Sequence, residues 1–175
     1  MVESHRRKSN RLSGYDYSQN GAYFVTICTQ NRSQLLGHFS APLRSISVGD
    51  GFPVPHFRPT RAGEVVAQLI SEIPLKYNRV TVDSFVIMPN HVHLLLAVSD
   101  PQKGTGNPSP TLGAVIGWFK YQTTRHINTE NATVGAKIWQ RSYHDHVIRN
   151  ADEYNRVAQY IDNNPATWQD DMYYN

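Results

Sequence analysis

His91-Val92-His93 sets two imidazoles two residues apart inside an apolar run, FVIMPNHVHLLLAV. On a strand, residues i and i+2 share a face, so both rings project together while Val92 and Leu94 enter the opposite side. Such a pair is either a preformed set of two ligands for a divalent ion or two buried histidines satisfied by hydrogen bonds. Nearer the C-terminus, Tyr160 and Asn164 stand four residues apart, which on a helix turning about 100° per residue leaves them about 40° apart at one edge. An amide oxygen is an acceptable hard ligand for a divalent cation, and a phenol can serve as a covalent nucleophile. Two imidazoles, an amide oxygen and a phenol together suit phosphoryl transfer.

The remaining chemistry-bearing residues carry less. His144-Asp145-His146 repeats the spacing of the first pair within WQRSYHDHVIRN, but its charged surroundings favour a surface position or a supporting role over a separate metal site. His5, His38, His56 and His126 show no pattern. Of the ten tyrosines, Tyr23, Tyr77, Tyr121 and Tyr154 read as ordinary amphipathic residues of core and rim. Cys28 is the single cysteine, so the chain holds neither an internal disulfide nor a cysteine-based zinc site.

Those groups need elements to position them. Gly21 to Gln30 is rich in aromatic and β-branched residues and predicts a strand. Ser40 to Pro59, with its glycines and prolines, predicts an irregular connection or a weak hairpin. Thr60 offers an N-cap, and Val65, Val66, Leu69, Ile70 and Ile73 keep helical spacing until Pro74 interrupts. Thr81 to Ile87 and His91 to Val98 predict an antiparallel hairpin around a three-residue turn, Met88 to Asn90. Leu112, Val115, Ile116 and Phe119 mark a second helix to about His126. A short strand between Ile138 and Ile148 follows. The last helix has Asn150 as N-cap and Glu153 at the capping-box position, and Tyr154, Val157, Ala158 and Ile161 form its expected buried stripe. Pro165 should stop it by pushing Asn164 out of the α region.

At 175 residues with 39% hydrophobic and 18% charged residues, the chain fits one domain with one core. No apolar run approaches the roughly 20 residues of a membrane span, and the basic start MVESHRRKSNRLSG has no apolar segment typical of a secretory signal. A cytoplasmic protein is expected. The net charge of +3 resides in residues 1–11, where Arg6, Arg7, Lys8 and Arg11 oppose Glu3. We therefore divide the chain into a basic arm, 1–20, and a single domain, 21–175. The arm is either a phosphate contact or a solvated terminus.

The segments SNRLSGYDYSQNGAYFVTICTQNR, FVIMPNHVHLLLAV and IWQRSYHDHVIRNADEYNRVAQYIDNNPATW, in this order and spacing, resemble those of the REP-associated tyrosine transposases. These are relatives of the single-tyrosine insertion-sequence transposases within the His-hydrophobic-His endonuclease superfamily. The resemblance covers nearly the whole chain, apart from the connections 40–59 and 99–110. It implies an α+β fold, an antiparallel sheet with helices on one side, like the ferredoxin-like palm of those endonucleases. It implies that His91, His93 and Asn164 hold Mg²⁺ or Mn²⁺, and that Tyr160 is the nucleophile. His146 matches a position commonly histidine in the family and would stand behind the ligands, whereas His144 occupies one that is more often aromatic. The implied activity is cutting and rejoining of single-stranded DNA near hairpins of repetitive extragenic palindromes, through a 5′-phosphotyrosine bond. Nucleoid association, with no membrane partner, goes with that activity, and the oligomeric state is monomer or homodimer. Arg6, Arg7, Lys8 and Arg11 would then contact phosphate, and Tyr15 and Tyr17 would stack on unpaired bases. A domesticated hairpin-binding protein that no longer cuts is the alternative. A metal-independent phosphoesterase would use a pair of His-x-Ser/Thr motifs, which this chain lacks.

Overall fold

The computed structural model describes residues 14–17, 19–40, 56–99 and 110–174. The cations expected to touch phosphate, Arg6, Arg7, Lys8 and Arg11, lie outside the described residues, as does most of each connection between 40–59 and 99–110. Strand β1 (Gly21–Cys28) sits between β5 (His91–Val98) and β6 (His144–Ile148), and β4 (Val80–Met88) pairs with β5, which makes an antiparallel sheet of order β4-β5-β1-β6. A separate ribbon joins β2 (Gly37–Ser40) to β3 (His56–Pro59), so the strand pairing expected over 40–59 begins earlier, at Gly37. Among the described residues three α-helices, α1 (Arg61–Lys76), α2 (Leu112–Glu130) and α3 (Ala151–Asn163), complete the expected α+β architecture. No helix among the described residues is long and apolar enough to cross a membrane.

Period-two alternation divides the sheet into two faces. Tyr23, Val25 and Ile27 of β1 and Val92, Leu94 and Leu96 of β5 are buried against Val66, Ile70 and Ile73 of α1 and Val115, Ile116 and Phe119 of α2. The other residues of the same strands, Phe24, Thr26, His91 and His93, face α3, whose Tyr160 contacts Phe24 and His93. Thus α1 and α2 form the helical layer, and among the described residues α3 and the turn after it cover the opposite face.

The helix starts follow their caps. Thr60 accepts from Gly63 N, Thr111 from Ala114 N and Asn150 from Glu153 N. Glu153 reaches back to Arg149 N, one residue before the cap. Gly63 is required where α1 meets the chain before it, since a Cβ there would collide with the Leu36 carbonyl oxygen.

Several expected boundaries move for local reasons. Pro74 does not end α1, which runs on to Lys76 and closes with Tyr77 N donating to Ile73 O at 2.8 Å. Only the Pro74 donor is lost, and two further residues remain to be wound. Met88 pairs with His91, which shortens the hairpin turn to Pro89 and Asn90. The last strand covers only 144–148, because Trp139 makes a single isolated bridge to Thr29. Asn164 keeps helical angles, φ −55° and ψ −40°, before Pro165, and the chain tightens into a 3₁₀ turn over Asn164–Asp170. Proline ends the α-helix here by withholding its donor, while the preceding residue stays in the α region. In α3 only Ile161 is fully buried, and Tyr154, Val157 and Ala158 are half-buried.

Candidate metal centre and tyrosine

His91 and His93 are 0% and 1% exposed and lie on the α3 face of the central strand β5. Their ring orientations are fixed from behind. His91 Nδ1 is 2.8 Å from Asn90 Oδ1, an oxygen that can only accept, so Nδ1 carries the proton and Nε2 keeps its lone pair. His93 Nδ1 is 2.8 Å from Thr26 Oγ1 of β1. The two Nε2 atoms then face each other at 3.1 Å. Burial holds both imidazoles neutral, with pKa values lowered to about 3, and the Arg32 guanidinium adds to the effect at His91 as His91 does at His93.

Helix α3 and the 3₁₀ turn after it supply the other side of the site. Tyr160, 41% exposed, places its hydroxyl 3.5 Å from His93 Nε2, with its ring edge-on to Phe24. Desolvation and the negative charge of Asp171 raise the Tyr160 pKa, while a hydrogen bond with Asn164 lowers it in part. Asn164, 1% exposed, donates from Nδ2 to Asp171 Oδ2 at 3.0 Å, whereas its Oδ1 is buried with no hydrogen-bond partner. The wall over His91 comes from Trp168 and Tyr173, whose rings lie 6.0 and 4.7 Å from the imidazole centroid.

Asp171 is the residue that reading the sequence missed. Its side chain has no exposed surface, and Oδ2 lies 3.8 Å from His91 Nε2. With His91 and His93 it forms a group whose ligand atoms all fall within 4.8 Å of one another. No motif announces it, because it stands 80 residues from His91 and 78 from His93 and is brought back only by the turn after Pro165. Asn90 had a visible signal, its place immediately before His91 in the hairpin turn.

A divalent ion fits these residues on three counts. Octahedral ligands at ~2.1 Å from an ion have neighbouring donors ~3.0 Å apart, which is the separation of the two Nε2 atoms. The orphaned Asn164 Oδ1 is a buried acceptor of the type that a cation satisfies. Asp171 is a buried carboxylate whose ionic neighbour, His91, is neutral, so a nearby positive charge would offset its burial.

The other expected site residues lie elsewhere. His146 shares the α3 face of the sheet, but its Nε2 bonds Glu153 Oε1 at 2.7 Å. It therefore ties β6 to the start of α3. Tyr15 and Tyr17 are half-buried around Tyr23 on the opposite face, at centroid distances of 6.4 and 5.9 Å, and Tyr17 O accepts from Leu112 N. They anchor the chain under the sheet, on the face opposite Tyr160.

Known proteins share both sequence and fold with this chain. The family described as "Transposase IS200 like" matches residues 57–164, a stretch that contains both histidines and Tyr160 and ends on Asn164. A protein of Haemophilus influenzae, named as uncharacterized, is 32% identical over 187 residues, covering 97% of this chain and 94% of that one. The solved structure of a REP-associated tyrosine transposase bound to a REP hairpin superposes with a TM-score of 0.60 at 20% identity, over 96% of this chain and 74% of the other. That likeness shows a shared fold. The match over 57–164 goes further, and the chain belongs to the IS200-like transposase family.

Proposed function

We propose that this transposase cuts and rejoins single-stranded DNA beside a hairpin, with Tyr160 as nucleophile and a divalent ion, Mg²⁺ or Mn²⁺, held by His91, His93 and Asn164. The observation that carries this reading is the approach of the Tyr160 hydroxyl to within 3.5 Å of the nitrogen that His93 turns toward His91. One chain thus supplies the nucleophile and every ligand.

When bound, the ion would polarise the scissile phosphate and offset the charge that develops on it. The protein contributes the rest. His91 and His93 stay neutral and so keep their lone pairs for the ion at physiological pH. Phe24 and His93 hold the Tyr160 ring from two sides, which orients its oxygen for in-line attack. Since the Tyr160 pKa is raised, the phenol enters the reaction protonated and loses that proton to water at its exposed side as it attacks. A bond forms between the Tyr160 oxygen and phosphorus, the bond from phosphorus to the 3′ oxygen breaks, and that oxygen takes up a proton. The phosphodiester energy is kept in the tyrosyl ester, so a DNA 3′-OH can reverse the step and join strands.

A hairpin of the repetitive extragenic type is the proposed ligand, by analogy with the hairpin bound in the structural neighbour. The 1–20 arm, through Arg6, Arg7, Lys8 and Arg11, would add phosphate contacts. Incubation of labelled hairpin DNA bearing a single-stranded flank with the protein and Mn²⁺ should give a denaturant-stable protein–DNA adduct. A hairpin-binding protein that does not cut would retain the DNA and form no adduct.

A further inference from the structure

We propose that Asp171 is the positioning residue of this centre, the core of a bracket formed by residues 171–173 that turns the Asn164 oxygen toward the histidines. The inference rests on the reading that an ion sits beside His91, His93 and Asn164. A primary amide has a donor end and an acceptor end of nearly equal shape, so nothing intrinsic to Asn164 decides which of them faces an ion. Asp171 decides it. A carboxylate can only accept, and Oδ2 takes the Asn164 Nδ2 donor at 3.0 Å, which leaves Oδ1 on the remaining side, buried and unpartnered.

Asp171 is itself prevented from rotating, because its Oδ1 accepts from Tyr173 N at 2.6 Å. The same segment reaches the other ligand. Tyr173 O accepts from Asn90 Nδ2 at 2.8 Å, which sets the Asn90 amide with its oxygen toward His91 Nδ1 at 2.8 Å and leaves His91 Nε2 with its lone pair. A continuous hydrogen-bonded path therefore runs from Asn164 through Asp171, Tyr173 and Asn90 to His91. It joins a ligand after α3 to a ligand on β5, and the Tyr173 ring is held between His91 at 4.7 Å and the Arg32 guanidinium at 5.4 Å. Residues 171–173 lie beyond the stretch 57–164 that matches the family.

The test uses the full chain without DNA and a double-mutant cycle in Mn²⁺ affinity, read by electron paramagnetic resonance of the free ion. Asp171→Asn can still accept from Tyr173 N, but it then turns its NH₂ against the Asn164 NH₂. The Asn164 amide must rotate, and affinity should fall about 10-fold or more, as for other groups that orient a ligand. In an Asn164→Ala background the same Asp171→Asn change should cost much less, only what the lost charge contributes, because there is no amide left to orient. The exchanged pair, Asn164→Asp with Asp171→Asn, keeps one carboxylate oxygen toward the histidines and should regain affinity to within a few-fold of the parent, which also shows that the altered segment folds. Losses that add in the cycle would overturn the proposal, since Asp171 would then act as a ligand or a bare charge. So would an exchanged pair that stays weak.

A metal-free measurement separates this inference from the functional reading. In amide NMR spectra the Asn164 side-chain NH₂ should exchange slowly in the parent protein and rapidly in Asp171→Asn. If the parent binds no Mn²⁺, the functional reading fails and this signal alone decides the bracket, which stands with a protected amide released by Asp171→Asn and falls with an amide that exchanges alike in both.

Discussion

On the side of the sheet covered by α1 and α2, Val25, Ile27, Val92, Leu94 and Leu96 are almost wholly buried among aliphatic and aromatic side chains. On the other side, residues one position away on the same strands are buried just as deeply, yet His91, His93 and Thr26 meet polar partners and the rings of Tyr160 and Tyr173. The first face derives its free energy from the area removed from water, about 1.5–3 kcal/mol for each large side chain. The second holds neutral imidazoles and a carboxylate in fixed orientations, which contributes little to stability and sets up a reaction. Helix α3 reflects the same contrast. It buries only Ile161 fully and depends on polar ties, Tyr154 to Asp83 at 2.9 Å and Glu153 to His146.

The sharpest break of this contrast is Tyr160→Phe. Removing one oxygen from the functional face should abolish the covalent adduct, a loss of about 10⁴-fold or more by comparison with other enzyme nucleophiles. The half-exposed ring should leave the unfolding midpoint nearly unchanged. An adduct that survives in this variant moves the nucleophile elsewhere.

Two neighbouring residues separate the faces further. His93→Ala should lower Mn²⁺-dependent cleavage by orders of magnitude, and chelation with EDTA should silence the parent protein. Leu94→Ala, one residue on and facing the core, should cost about 2–5 kcal/mol of stability while the folded fraction still cuts. Denaturant titration beside cleavage assays reads both effects, and cleavage that persists in EDTA would dismiss the ion.

The histidine face should impose a dependence of stability on pH. An unfolded histidine takes up a proton below about pH 6.5, whereas burial delays protonation of folded His91 and His93 to about pH 3. Between these values the unfolded chain binds more protons. Stability is therefore full above the window and falls as the pH drops through it, by about 1.4 kcal/mol per pH unit for each histidine. Replacing both histidines with leucine should flatten that slope in chemical denaturation, and an unaltered slope would place the titrating groups elsewhere.

The smallest effect concerns the four cations of residues 1–11. If Arg6, Arg7, Lys8 and Arg11 each neutralise a phosphate, deleting residues 1–11 should reduce the slope of log affinity against log salt by roughly 0.7 for each cation, about 2.8 in all. Tyr160 should still cut at high protein concentration. A salt titration of hairpin binding with the full and shortened chains compares the two slopes.

Local chemistry was enough to determine the strand that carries His91 and His93, the side on which each residue of that strand lies, and the caps at Thr60 and Asn150. Periodicity and capping act over a few residues and leave their mark in the order of the chain. The pairing of Tyr160 with Asn164 was legible for the same reason, since both belong to one helical turn. Boundaries at Pro74 and Asn164 were not, because a proline withholds one donor in any context but ends or bends a helix only as the surrounding packing permits. Only the tertiary structure decided that α3 lies across the histidine face, that Tyr15 and Tyr17 pack beneath Tyr23, and that Asp171 returns to within 3.8 Å of His91. These contacts join residues far apart in sequence through the strand order β4-β5-β1-β6 and the turn after Pro165, and no local spacing encodes a meeting that the whole chain must fold to bring about.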